Sequence, residues 1–318
     1  MKILIVLLRI PGGVGRANTE IANALRKKGH EVDILSREDD LQKYSLKGGF
    51  LPIRRKVKKL MKEKNYDIIY TQDYSCALPL ILPYPIFLRK HFYCSIGVKW
   101  GKDIHTLLQN FTGKFMRRKV IVLFHHNKKR FPRAHVIYRA VNIEKFRPLN
   151  KKRDSFGWIN KFSEMGNQKI YEKVAKELEL KPLSAGNPGR ETKSKDKNKG
   201  KVVYHSFDKF SDMNEFYNKC KVFINLATPD AGFNLSWLEA MSAGVPIVIG
   251  NNNGAGPIMP FDKIDKWKNE RDFEAQIKKI LKNPKKINYR RWLIDNGFTW
   301  DRVADELLMI FKSDGKNV

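Results

Sequence analysis

Short apolar runs recur along the chain, each separated from the next by room for one amphipathic segment, from KILIVLL at residues 2–8 to VPIVIG at residues 245–250. Continuous apolar runs of this length suit strands buried on both faces, and strands joined through helices make a parallel sheet covered on each side. In the first half the strands are KILIVLL, EVDILS, DIIYTQ, HFYCSI, VIVLF and HVIYRA. Between the first two, NTEIANALRKKGH sets Ile21, Ala22 and Leu25 on one face and stops at Gly29, which completes a βαβ unit.

The second half repeats the pattern, with FGWIN, KVVYHS, VFINLA and VPIVIG as strands and IYEKVAKELEL as a helix carrying Ile170, Val174 and Leu178. Between the halves AVNIEKFRPLNKKRD, residues 140–154, loses the alternation and contains Pro148, as a linker does. SAGNPGRETKSKDKNKGK reads as a solvated loop within the second half. TWDRVADELLMIFK near the end is a helix with Val303, Leu307 and Ile310 in an apolar stripe and Trp300 a turn earlier. The expected organisation is one α/β domain over residues 1–148, a second over 149–298, and a final helix, 299–318, packing across both. A chain of 318 residues is long enough for each domain to bury its own core.

Charge is lopsided, with 62 Lys and Arg against 33 Asp and Glu, and a net charge of +29. Residues 1–150 carry +20 of this and the rest +9. Such a field draws in polyanions or an anionic lipid surface, the alternative being a lysine-rich composition with no partner behind it. The basic residues concentrate in RRKVKKLMKEK (54–64) and GKFMRRKVIVLFHHNKKRFPR (113–133), the first readable as an amphipathic helix with Ile53, Val57, Leu60 and Met61 inward. Phe92, Tyr93 and Trp100 are aromatic neighbours that suit a core, base stacking or a lipid interface.

Cys76, Cys94 and Cys220 lack C-x-x-C or Cys/His spacing, so neither a disulfide framework nor a zinc site is indicated, and a reducing, cytoplasmic compartment fits. ILIVLL is too short for a signal sequence, and CALPLILPYPIFL, with three prolines, is too short and broken to span a bilayer. The expectation is a soluble protein or one peripheral at a membrane.

Two loops after strands carry candidate chemistry. RIPGGVGRANTE is a glycine loop running into a helix, where free N–H groups favour a phosphate or carboxylate. Gly13 and Gly15 fit the dinucleotide fingerprint, Asn18 stands at its third glycine and Glu38 ends the second strand, which keeps a nicotinamide oxidoreductase open. In the second half TPDAGF follows a buried strand, Asn234 suits an N-cap, and LSWLEAMSA is a short helix stopped by Gly244. Glu239 lies alone among its uncharged residues. Either it is an ordinary exposed helix glutamate, or it faces a cleft or a hydrogen-bonding partner at the ligand edge of the sheet.

GFNLSWLEAMSAGVPIVIGNNNG resembles the donor-binding segment of the family 4, or group 1, glycosyltransferases of GT-B fold. PGGVGRANTEIANALRKKGHEV looks like that family's first loop and helix, AVNIEKFRPL like its linker and FTWDRVADELLMIF like its C-terminal helix. The resemblance implies two Rossmann-like, doubly wound parallel-sheet domains with an interdomain cleft. It further implies a nucleotide-sugar donor on the second domain, an acceptor on the first, retention of configuration, no cofactor and no metal. By position, Glu239 would hold the donor ribose, the backbone of Phe233, Asn234 and Leu235 would face the sugar and diphosphate, Gly12 and Gly13 would close on the phosphates, and Lys161 or Lys169 would supply the family's lysine. The acidic run Glu38-Asp39-Asp40 is a poor substitute for a metal-binding D-x-D.

The departures concern the chemistry. Ala231 stands where the family has a glutamate, with Asp230 one residue early, and Trp158 where it has an arginine. Its first-domain histidine has no counterpart at Ile96 or Gly97, and Gln72-Asp73 replaces a His-Asp pair. Asp73 and Asp230 are therefore the candidate catalytic carboxylates. Four readings follow: transfer to a lipid-linked or cell-surface glycan at an anionic membrane, transfer to a modified base in nucleic acid, a non-catalytic sugar-nucleotide-binding module, and an NAD-dependent oxidoreductase.

Overall fold

The computed structural model describes the chain except for residues 44, 98–102, 160–170, 172, 186–203, 206–209, 226–233, 251–261, 265–269, 284–286 and 317–318. It divides into one unit made of residues 1–140 and 300–318 and another made of residues 141–299.

In the first unit β1 (Lys2–Leu7), β2 (Glu31–Ser36), β3 (Ile68–Gln72), β4 (His91–Ser95), β5 (Val120–Val122) and β6 (His135–Val136) form one sheet in the order β2-β1-β3-β4-β5-β6. Every pairing is parallel. A sheet of this kind needs helices on both faces, and the strand residues sort accordingly. Leu4 and Val6 pack with Ile53, Val57 and Met61 of α2 (Leu46–Lys64) and with Cys76 and Leu80 of α3 (Tyr74–Ile81). Tyr93, Val120 and Val122 continue that layer against Met116 of α4 (Ile104–Met116). Against Tyr70 and Phe92 lies Phe311, with ring centroids 5.7 and 4.9 Å away. It belongs to the last helix, α9 (Trp300–Lys316), which runs beside α1 (Gly13–Lys27).

The inward positions read from sequence are buried: Ile21, Ala22 and Leu25 on α1, and Val303, Leu307 and Ile310 on α9. Helix α2 starts at Leu46 and so extends the expected 54–64 segment, with Ser45 capping it by accepting the Gly48 N–H at 3.0 Å. Gly48, Gly49 and Pro52 disguise those first turns, since both residue types weaken helices. Two basic residues of the cationic segments are structural rather than surface groups. Arg54 donates to the carbonyls of Pro79, Leu82 and Tyr84, and Lys119 to those of Leu88 and Arg89.

In the second unit β7 (Ser155–Ile159), β8 (Lys181–Ala185), β9 (Tyr204–His205), β10 (Cys220–Asn225), β11 (Ile247–Gly250) and β12 (Asp262–Ile264) take the order β12-β11-β10-β7-β8-β9, again all parallel. The helices are α5 (Phe210–Lys219), α6 (Leu235–Ser242), α7 (Glu270–Lys282) and α8 (Tyr289–Asp295), with residues 173–177 also helical. One face of the sheet packs Phe156, Trp158, Val222, Ile224 and Val248 against Tyr171, Val174 and Ile277.

Two expectations change. Strand β8 runs through Ser184 and Ala185, which begin the stretch read as loop, because pairing with β7 and β9 outweighs its weak apolar signal. Residues 141–148, expected to close the first domain, are tied to the second unit. The Arg147 N–H donates to Asn214 Oδ1 at 3.1 Å, Asn218 Nδ2 to the Arg147 carbonyl at 2.9 Å and Arg290 Nη1 to the Phe146 carbonyl at 3.0 Å. Loss of alternation marks a segment as irregular, but does not say whose side chains will satisfy its backbone.

His91 is fully buried on β4, with Nε2 2.9 Å from Thr71 Oγ1. Burial, with the Lys119 ammonium nearby, lowers its pKa to about 3. The unfolded chain therefore binds a proton that the folded chain refuses, and this contribution to stability, complete above the unfolded value, is lost as pH falls toward 3. Going from pH 7 to pH 5 should cost about 2 kcal/mol through this residue alone. Urea denaturation of wild type and His91→Gln at both pH values checks it: the variant should lose most of that difference.

Candidate active site

Strand order reverses between β1 and β3 in the first sheet and between β7 and β10 in the second. In open α/β sheets the crevice beyond the carboxyl ends of the strands at such a point receives ligands.

At the first of these points β1 leads into the glycine loop. Gly12 has φ 95° and ψ 178°, a conformation reserved in practice for glycine, and its carbonyl accepts the Arg16 N–H at 3.0 Å to start α1. A Cβ on Gly13 would meet no atom within 4 Å, which leaves its backbone open to an approaching group. Gly15 serves packing instead, since a Cβ there would lie 1.7 Å from the Ile10 carbonyl oxygen. Asn18, at the third fingerprint position, is buried and donates to the Val14 carbonyl at 2.8 Å. At the end of β2, Asp39 accepts the Ile10 N–H at 2.7 Å and Asp40 accepts the Ser36 N–H at 2.6 Å. Asp39 thereby ties the loop to the end of β2.

β3 brings Asp73 to the same edge. Its backbone sits at φ 71° and ψ 151°, unusual for a residue with a Cβ, its N–H donates to the Cys94 carbonyl at 3.0 Å, and its Oδ1 caps α3 by accepting the Ser75 N–H at 2.9 Å. Backbone strain of this kind concentrates at functional sites. Next to it, Tyr74 Oη lies 2.5 Å from His105 Nδ1, joining α3 to α4. Burial, then the Asp73 charge, raises the Tyr74 pKa. No feature of the sequence singled out this pair.

In the second unit the described part of the edge is α6. Asn234 occupies the N-cap position with extended backbone, yet its side chain makes no capping hydrogen bond, so the first turn of α6 is not closed by it. Glu239 is 4% exposed, which replaces the exposed-helix reading with the hydrogen-bonded one. Tyr217 Oη, from α5, donates to Glu239 Oε2 at 2.8 Å. The Tyr217 hydroxyl thereby holds one of the two carboxylate oxygens in place. A buried carboxylate calls for a donor, but the sequence does not say that Tyr217, in the preceding helix, supplies it.

The far end of α6 is clamped. Gly244 takes φ 70°, the Val245 N–H returns to the Ala240 carbonyl at 3.0 Å, and Arg153 donates to the carbonyls of Ala243 and Gly244 at 2.8 and 2.5 Å. A guanidinium on the last carbonyls suits the negative end of the helix dipole. Trp158, at the family's arginine position, is a core residue whose ring stacks on Tyr171 at 5.1 Å. Lys161, Lys169, Asp230, Ala231 and Phe233 lie outside the described residues. Among the described residues no three His, Cys, Asp or Glu side chains group as a metal site, and no helix is long and apolar enough to cross a membrane.

Two all-parallel sheets with helices, one in each unit, are the two-domain α/β architecture of the GT-B class. A model described as "Glycosyl transferases group 1" matches residues 147–300, and one described as "Glycosyltransferase Family 4" matches residues 11–145. The chain is a member of the GT-B-fold glycosyltransferases related to these families. Spore coat protein SA of Bacillus subtilis (strain 168) is 26% identical over 124 residues, which are 36% of this chain and 33% of that protein, so the match spans a third of the relative's length. In fold the chain is similar to sucrose-phosphate synthase from Thermosynechococcus elongatus, with a TM-score of 0.75 and 13% identity over 98% of each chain. It is also similar to Anabaena HepE in complex with UDP-glucose, with a TM-score of 0.70 and 14% identity over 98% of this chain and 100% of that one.

The two neighbouring glycines should respond differently to the same change. Gly12→Ala should cost about 1–3 kcal/mol through backbone strain. Gly13→Ala should leave the thermal midpoint unchanged and weaken only a ligand that approaches the loop; equal destabilisation of both in thermal melts would contradict the geometry. For Asp73, replacement by Asn keeps the cap, so the thermal midpoint should hold, whereas Asp73→Ala should cost about 1 kcal/mol in the same melts.

Proposed function

We propose that the chain is a glycosyltransferase that moves a sugar from a nucleotide-sugar to an acceptor bound by its basic first unit. The observation that carries this is Glu239, a buried carboxylate held by Tyr217 on the helix that follows β10, within the segment matched by the group 1 model. A fixed acceptor of that kind suits the paired hydroxyls of a ribose. An acceptor fixed in advance costs little to reorganise on binding. The bound UDP-glucose in HepE makes UDP-sugars the first donors to try.

Transfer breaks the bond between the anomeric carbon and the diphosphate, forms one to the acceptor oxygen, and sends the acceptor proton to the leaving phosphate or a nearby base. Charge develops on the diphosphate, and the backbone of Phe233, Asn234 and Leu235 is proposed to meet it together with the Lys161 ammonium. Gly12 and Gly13 are proposed to approach the phosphates, and Asp73 and Asp230 to serve the acceptor. The reaction is proposed to retain configuration and need no metal.

The +20 of residues 1–150 favours an acceptor at an anionic membrane, a lipid-linked or cell-surface glycan, with the protein in the cytoplasm and peripheral to the bilayer.

A panel of UDP-, GDP- and ADP-sugars should contain one that raises the melting temperature in proportion to log concentration, as a ligand of the folded state alone must. Glu239→Gln should accept the Tyr217 hydroxyl as before and bind that donor about tenfold more weakly, the loss of one charge-assisted hydrogen bond. Unchanged affinity in calorimetry would remove Glu239 from the donor site. Transfer should survive EDTA, and strict dependence on added Mn²⁺ would overturn the metal-free reading.

A further inference from the structure

Helix α4 has its polarity reversed. Its inward face carries Thr106, Gln109, Thr112, Gly113 and Met116, all buried. Outward, Ile104, Leu107, Phe111 and Phe115 are 61%, 57%, 44% and 37% exposed. At 3.6 residues per turn these four fall within an arc of about 80°, a continuous stripe along the helix. They are four of the ten large apolar side chains exposed among the described residues, so the exposure is concentrated and not scattered. The Phe111 and Phe115 rings stack with centroids 6.1 Å apart.

The polar inward face is committed. Gln109 Nε2 donates to Ser95 Oγ at 3.3 Å and to the Gly97 carbonyl at 2.5 Å, and Thr112 Oγ1 donates to the Leu108 carbonyl at 2.8 Å. Asp103 caps the helix by accepting from the Thr106 N–H and hydroxyl at 3.0 and 3.1 Å. Rolling α4 to bury its stripe would leave the buried glutamine without partners. The apolar face therefore stays outward unless something apolar comes to it.

The rim identifies what comes. Between residues 104 and 116 there is no acidic residue, and Lys114, Arg117 and Arg118 lie exposed at the C-terminal end with no carboxylate paired to them among the described residues. Nucleic acid would engage those cations and leave the aromatic and aliphatic stripe unused. A second copy of the same face would set cations against cations. An anionic bilayer matches both halves, because an amphipathic helix lying in the interface puts its apolar side at the acyl boundary and its cations among headgroups.

We infer that α4 is a membrane-docking helix that lays Ile104, Leu107, Phe111 and Phe115 into the surface of an anionic bilayer, with Lys114, Arg117 and Arg118 on the headgroups. This deepens the reading of the acceptor as membrane-bound and rests on it, naming the surface that meets the lipid.

The test is co-sedimentation of the full chain with mixed phosphatidylglycerol and phosphatidylcholine vesicles. Wild type should bind, and bind less with rising salt or with phosphatidylcholine alone. Leu107→Ser/Phe111→Ser/Phe115→Ser should lose roughly tenfold or more of that binding while keeping its melting temperature, since the stripe supports no core. A second reading uses the burial of Cys76, Cys94 and Cys220, which leaves an introduced Phe111→Cys as the accessible thiol. An environment-sensitive fluorophore attached there should shift to the blue when vesicles are added. Equal vesicle binding by wild type and the triple variant overturns the docking helix while the membrane-bound acceptor stands; absence of binding by wild type overturns both. A dimer that the triple variant dissolves, with vesicle binding intact, assigns the stripe to self-association and overturns the inference. So does salt-sensitive capture of duplex DNA by both proteins without vesicle binding.

Discussion

Both sheets are wholly parallel, and that constraint organises everything else. A parallel strand must be re-entered from the end where its predecessor began, so each connection crosses a sheet face, and all loops that leave carboxyl ends collect along one edge. Helices that begin at that edge turn their unsatisfied N–H groups toward it. The glycine loop with α1, Asp73 with α3 and Asn234 with α6 are three instances of one geometry. In each unit the ligand edge follows from the topology, and the side chains placed there decide what it binds.

Much of this architecture is legible in the chain because buried parallel strands are apolar throughout and cannot be mistaken for solvated segments. Ile3 to Leu7, Val222 to Ile224 and the alternating helices announce themselves. Short or polar strands do not: β8 contains Lys181 and Pro182, and β9 and β12 are two and three residues long, so tertiary pairing makes them strands where local pattern does not. The opening turns of α2 were hidden by Gly48, Gly49 and Pro52. Helix α4 was hidden for the opposite reason, its apolar residues being ordinary in number and unusual only in the direction they face.

The site was legible in part. Glycine at position 12 is required by a backbone angle, and Glu239 stood out for its isolation. What isolation could not reveal is that the carboxylate is buried, and that its setting is built by residues far away in sequence: Tyr217 on the carboxylate, and Arg153 and Arg290 around the end of α6. A carboxylate buried without a donor is expensive, so the position of Glu239 depends on those neighbours as much as on its own helix. Trp158 shows the same limit from the other side: a residue that looked like a replaced functional group is part of a core.

The central claim is that a nucleotide-sugar binds the second unit at the start of α6. Hydrogen–deuterium exchange with and without UDP tests it without requiring the acceptor or the transferred sugar to be known, since an amide that gains a ligand or loses solvent exchanges more slowly. Slowed exchange should centre on peptides covering residues 226–244. Protection confined to the glycine loop at residues 9–20, with residues 226–244 unchanged, would contradict it.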